Sequence, residues 1–223
     1  MTCHRDSLEP NCNQTLADTI LDMQLLSQIT TRLWLYTSAC NETVLVLEAI
    51  KQSKVNLKVF PSISLVDEDE DSYQLHKTAL KEALQTYGTS NVLGITVGHE
   101  VMFNYLLERN SEDPNNAFGL AASSILKGRF TDIRKMLISI NVTLPIGTTD
   151  AAGYFNIDLL SASDFGCACT SPQRLTKLLI LLLIFFQHGQ RARFAHQYTH
   201  PGGRNVVIQL LQPERRGLGK PAA

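Results

Sequence analysis

From residue 16 onward the spacing of apolar side chains switches repeatedly between two periods. LADTILDMQLLSQI (16–29) has the spacing of a helix, and TRLWLYT (31–37) alternates as a strand does. NETVLVLEAIKQSK (41–54) predicts a helix with Asn41 as its N-cap and Lys51 and Lys54 at its negative end. LKVFPSISLV (57–66) predicts a strand interrupted by Pro61, whose missing N–H would cost a central strand one ladder hydrogen bond. The acidic run DEDED (67–71) reads as the solvated entry to a helix over 72–88, closed by Gly88. VLGITVG (92–98) predicts a buried strand, 117–140 a helix, and TLPIGTTDA (143–151) another strand.

Strands alternating with helices predict a parallel sheet with right-handed crossovers. Polar residues gather where successive strands end, which suits a (β/α) barrel with its chemistry at that rim. The segment GITVGHE (94–100) is the sharpest case. It is apolar up to Val97 and ends on Gly98, His99 and Glu100, so Glu100 stands where a catalytic acid would. After Phe165 the alternation stops. Nine consecutive apolar residues (178–186) are too few for a bilayer, which needs about 20, so no membrane span is predicted.

Composition changes this picture in one respect. The whole chain of 223 residues carries a formal charge of −1, which gives no reason to expect a nucleic-acid partner. Residues 1–166 hold 20 acidic and 12 basic side chains, however, whereas residues 167–223 hold 1 and 8. That reversal sets residues 167–223 apart from residues 1–166 as a divergent, largely irregular tail. Cys3, Cys12, Cys40, Cys167 and Cys169 lack the spacing of a zinc site. No phosphate-binding glycine loop, metal set or Ser/His/Asp arrangement stands out, and no cofactor is expected. His4, His76, His188, His196 and His200 read as surface residues. Sequons at Asn13, Asn41 and Asn141 suit N-glycosylation of a secreted protein, although the first residues contain no apolar signal-peptide core.

Four segments carry a resemblance: residues 16–40, 41–60, ALKEALQTYGTSNVLGITVGHEVMFNYLL and LPIGTTDAAGYFNIDLLSASDFG. Together they are similar to fungal members of glycoside hydrolase family 17, which act on β-1,3-glucan as hydrolases or glucanosyltransferases. The likeness spans about residues 12–166. It implies an α/β fold, an incomplete (β/α)8 TIM barrel of roughly strands 2–5 with their helices, followed by a non-matching tail. It also implies a β-1,3-glucan partner, a secreted or cell-wall location, and a disulfide between Cys12 and Cys40.

A retaining mechanism follows from the resemblance, with two carboxylates about 5–5.5 Å apart. One protonates the glycosidic oxygen; the other captures the oxocarbenium-like carbon. Glu100 matches the acid/base, and Tyr36 and His99 match substrate-binding positions, His99 replacing the asparagine that holds the sugar 2-hydroxyl. The chain departs from the pattern elsewhere too. Trp34 replaces an arginine, Ala39 an acid, and Pro61 and Ser64 stand for leucine and tryptophan. The nucleophile, glutamate in a Glu-Thr-Gly-Trp-Pro motif after Val-His-Pro, has no counterpart, and Glu214 lacks that context. The chain as written is therefore expected to be inactive. The alternative is a non-catalytic glycan-binding remnant or the product of a mis-framed gene.

Frame offers an explanation for the tail. Read one base forward, codons allowed for Cys169–Pro172 can spell Val-His-Pro. In the same frame, codons allowed from Arg204 to Lys220 can spell Glu-Thr-Trp and a Ser/Asn/Gly-rich run. Sequencing the transcript across codons 155–215 is expected to reveal those motifs in the shifted frame; a transcript encoding them in no frame overturns the explanation.

Overall fold

The computed structural model describes residues 14–65 and 70–168, together with the backbone of 169, 192–199 and 205–211. The chain opens with α1 (Leu16–Leu26), β1 (Arg32–Trp34), α2 (Glu42–Ser53) and β2 (Lys58–Phe60). It continues through β3 (Ser62–Ile63), α3 (Glu70–Tyr87), β4 (Ile95–His99), α4 (Val101–Leu107) and α5 (Ala117–Ser139). Then come β5 (Ile146–Ala151), α6 (Ile157–Ala162), β6 (Phe165–Cys169), β7 (Ala192–Thr199) and β8 (Asn205–Leu211). The alternation expected from the sequence is present, and every pairing among β1 to β6 is parallel.

The strand ladders divide at Pro61, with β1–β2 on one side and β3–β4–β5–β6–β8–β7 on the other, but the hydrogen bonds are continuous across it. Residues of a strand address their two neighbours alternately. Val59 exchanges bonds with Asn91 and Leu93, the Phe60 carbonyl accepts from Leu35 N at 3.0 Å, and the Pro61 carbonyl accepts from Thr96 N at 2.9 Å. Pro61 thus keeps the acceptor half of its pairing, and the strand resumes at Ser62.

Side-chain alternation sorts the strands into two faces. Leu33, Leu35, Val59, Ile63, Ile95, Val97 and Ile146 enter the main core beneath the helices. Trp34, Phe60, Phe165 and Cys167 form a second cluster on the other face, with Tyr36 and Leu93 against it. A sheet buried on both faces explains why its strands read as nearly unbroken apolar runs. Outside the sheet, Asp132 of α5 accepts from Tyr73 Oη at 2.7 Å and Lys77 Nζ at 2.6 Å, tying α5 to α3.

Several expectations change. Asn41 stands at the N-cap position of α2, as expected, but it adopts φ +58°, makes no side-chain capping bond, and is exposed. Asn141, likewise exposed, has φ +55° just past α5. His76 is not a surface residue but only 6% exposed. His196 lies on β7, described as backbone alone, and His4, His188 and His200 lie outside the described residues. So do Cys12, Asn13, the apolar run at 178–186 and Glu214. The boundary expected after residue 166 falls inside β6, which continues the parallel sheet to Cys169. Beyond it β8 pairs antiparallel with β6, and β7 with β8, so two strands occupy part of the segment read as irregular. No helix among the described residues is long and apolar enough to cross a membrane.

Gly98 occupies φ +81°, and a Cβ there would lie 2.7 Å from Val101 Cγ2 and 2.9 Å from Leu126 Cδ2. Gly98→Ala meets both a left-handed backbone and a close helix. Urea unfolding is expected to show a loss of about 1–3 kcal/mol; an unchanged midpoint would refute that reading.

Candidate active site

The sheet's carboxyl rim collects the residues singled out by the sequence. β4 ends at His99, and the chain turns into α4 through Glu100, whose backbone is left-handed at φ +54°, ψ +32°. Such a conformation is unfavourable for a residue with a Cβ, and surrounding bonds must hold it. The Glu100 N–H donates to the Thr149 carbonyl at 2.8 Å on neighbouring β5, while the Glu100 carbonyl accepts from Asn104 N at 2.9 Å and begins α4. Glu100 remains partly exposed.

His99, one residue earlier, faces the inner cluster. Its imidazole stacks on Trp34 with centroids 5.1 Å apart and planes at 27°, and meets the Tyr36 ring at 4.7 Å. Trp34 is 8% exposed and donates Nε1–H to Thr96 Oγ1 at 2.9 Å, which makes it a packed wall rather than an open platform. Burial holds the His99 imidazole below its ordinary pKa, with the Glu100 carboxylate pulling the other way. A neutral ring is the form that stacks here. The hydroxyls of Ser62 and Thr149, on β3 and β5, are buried without a hydrogen-bond partner among the described residues.

Two buried carboxyl groups at this rim were not singled out in the sequence. Asp150, next along β5, is fully buried and accepts from Met102 N at 2.8 Å, Phe103 N at 3.3 Å and Ala151 N at 2.8 Å. It therefore caps the start of α4. Burial pushes its carboxyl up to about 7 against these N–H groups, and the Glu100 charge adds to the rise. Glu42 opens α2, is 1% exposed, and accepts from Thr37 N at 3.2 Å. Its other oxygen has no partner among the described residues, and burial raises its pKa to about 7 despite the Thr37 bond.

Glu42 belongs to a polar knot after β1. The Thr37 hydroxyl and the Ser38 N–H reach His76 Nδ1 at 3.0 and 3.4 Å, so Nδ1 is the acceptor and the proton sits on Nε2. Ser38 Oγ donates to the Ser62 carbonyl at 2.8 Å, linking this loop to β3. Burial lowers the His76 pKa and favours the neutral ring. Cys40, in the same loop at φ +54°, is disulfide-bonded, and the expected partner Cys12 lies outside the described residues. Asp150 could have been noticed from its place at the end of a predicted strand beside Glu100. No pattern in the sequence marks Glu42 or His76 as buried.

Residues 2–172 match the family model described as the BtgE/BtgC glycoside hydrolase domain. The chain belongs to that family. A glucan 1,3-β-glucosidase of Schizosaccharomyces pombe is 30% identical over 154 residues, covering 66% of this chain and 43% of the relative. Among solved structures, a glycoside hydrolase family 17 β-1,3-glucanosyltransferase from Rhizomucor miehei is 23% identical with a TM-score of 0.53, over 73% of this chain and 55% of that one. An active-site mutant of Rhizomucor miehei β-1,3-glucanosyltransferase in complex with laminaritriose gives 0.55 at 20% identity, over 78% and 64%. These likenesses establish the fold of the glycoside hydrolase domain as part of a TIM barrel. The chain spans between 20% and 43% of the length of the first curated relatives it matches.

The pH dependence of Glu42 has a definite sign. Below its ordinary pKa of 4.5 it is protonated folded or unfolded; as pH rises to about 7 the unfolded chain releases the proton first and stability falls. Above that the cost is complete, roughly 3 kcal/mol. Glu42→Gln is therefore expected to raise unfolding stability at pH 8 and leave it nearly unchanged at pH 4. Denaturant titrations at both values check this, and an equal difference at the two would sink it.

Proposed function

We propose that this domain engages β-1,3-glucan at the carboxyl rim of its sheet, with Glu100 in the acid/base position and Tyr36 and His99 beside the sugar. The observation that carries the reading is the corner at Glu100, where a partly exposed carboxylate stands at a parallel strand's carboxyl end beside a Tyr–His–Trp wall. Family membership supplies the substrate class. A secreted or cell-wall setting accords with the disulfide at Cys40, because such bonds persist in oxidising compartments. Exposed Asn41 and Asn141 would there be accessible for glycosylation.

Binding without turnover is the more specific reading. Retaining chemistry needs a second, ionised carboxylate on the far side of the anomeric carbon. Asp150 is next to Glu100 but is committed to three backbone N–H groups at the start of α4 and is buried, so it cannot serve as nucleophile. His99 removes the amide expected to hold the 2-hydroxyl, which weakens transition-state binding further. Either term alone lowers the rate by orders of magnitude.

The pure chain incubated with laminarin is expected to release no new reducing ends, while laminari-oligosaccharides shift the NMR signals of Tyr36 and His99. Hydrolysis that disappears in Glu100→Gln would replace this reading with a working enzyme. Absence of both binding and hydrolysis would remove the glucan reading altogether.

A further inference from the structure

We propose that Asp150 is the positioning residue of this site: its carboxylate holds the left-handed corner from which Glu100 is presented, and its negative charge is needed to do so. The proposal rests on the role given above to Glu100.

The last two residues of β4, Gly98 and His99, and Glu100 before α4 must accommodate an unfavourable turn. Gly98 takes φ +81° without a Cβ penalty, but Glu100 takes φ +54° with one. Two sets of bonds hold Glu100 there. One is backbone to backbone, from the Glu100 N–H to the Thr149 carbonyl at 2.8 Å. The other is the Asp150 side chain, which grips the N–H groups two and three residues past Glu100, at Met102 and Phe103. Those donors open α4 and have no partner within their own helix. β5 thus holds the corner from both sides: Thr149 before the turn and Asp150 after it. A third N–H, that of Ala151, closes on Asp150 Oδ1 at 2.8 Å and fixes the carboxylate's orientation.

An arrangement of donors alone favours an ionised acceptor, because each N–H bond to a carboxylate is stronger than to a neutral group. Glu100 is the charged group that acts on Asp150; the other groups facing it are backbone N–H donors of α4 and of Ala151. Burial opposes the charge and brings its titration to about 7. Protonation of Asp150 weakens all three bonds at once, so the corner loosens as pH falls through that range. Asparagine at 150 would present one oxygen and an NH₂ group, and the NH₂ would face N–H donors without an acceptor between them.

The test uses the full chain with 13C-labelled Asp and Glu carboxyl groups, and requires no glucan, so it reads independently of whether the domain binds or cleaves sugar. Glu100→Gln assigns the Glu100 signal. In the unaltered chain that signal is expected to show an inflection near pH 7 that reports Asp150, distinct from any step at lower pH from the buried His99 imidazole, and Asp150→Asn should abolish it. Removing the Glu100 charge in Glu100→Gln should move the Asp150 titration to lower pH. Amide hydrogen exchange at Met102 and Phe103 is expected to quicken about tenfold or more in Asp150→Asn and Asp150→Ala. Should the alanine variant fail to fold, the asparagine variant still carries both readouts. A Glu100 inflection near pH 7 that persists in Asp150→Asn and also in Asp150→Asn with His99→Phe, or exchange at Met102 and Phe103 unaltered in Asp150→Asn, overturns the proposal. Glucan binding that fails while these readouts hold would leave the corner intact and remove only its assigned purpose.

Discussion

The turn from β4 into α4 is the constraint around which the rest of the rim is arranged. Two residues of positive φ, Gly98 and Glu100, flank His99 where the chain leaves β4 for α4. Nothing in the local sequence stabilises such a turn, and a carboxylate-bearing residue in the left-handed region is unfavourable by itself. The turn persists because β5 lies beside it, the register shifting between Thr96 and His99 so that His99 stands opposite Thr149. The neighbouring strand supplies an acceptor for Glu100 and a carboxylate for the start of α4. α5 closes against Gly98 from the other side, which forbids a side chain at that position.

Packing on the inner face of the sheet is aromatic rather than polar. Trp34, Phe60 and Phe165 fill the inner face, and the His99 ring joins them by stacking on Trp34. An arginine or an asparagine amide at positions 34 and 99 would have required charged or hydrogen-bonding partners in that space. Aromatic rings require only contact area and one partner for the indole N–H, which Thr96 provides. The two rings are thus mutually compatible: each supplies the surface on which the other rests.

A comparable economy governs the loop after β1. Thr37, Ser38, Thr43 and His76 interlock through side-chain and backbone bonds, and the buried Glu42 sits among them with one oxygen satisfied. Such a knot is costly at alkaline pH, because a buried carboxylate is ionised only against its desolvation. It nonetheless ties the end of β1 to β3 and α3, and so supports the segment after β1 that carries Tyr36.

Apolar spacing alone carried the alternation of strands and helices, because helical and strand periods differ enough to be told apart. The sequence by itself determined the barrel family through the matched segments, and the position of Glu100 at a strand's end. The breaks at Pro61 and Gly88 were legible as well, since both residues restrict or permit backbone angles whatever surrounds them. Other features depended on residues far apart in the chain. Asp150 looks like an ordinary strand-end acid until α4 is placed over it, 48 residues away in sequence. His76 reads as one polar residue of an exposed helix, yet it is buried because Thr37 and Ser38 come to meet it. Burial of a polar group is decided by the bonds available where it lands, and those partners come from other strands. Only the tertiary structure could decide which of the chain's acids face solvent and which hold the backbone in place.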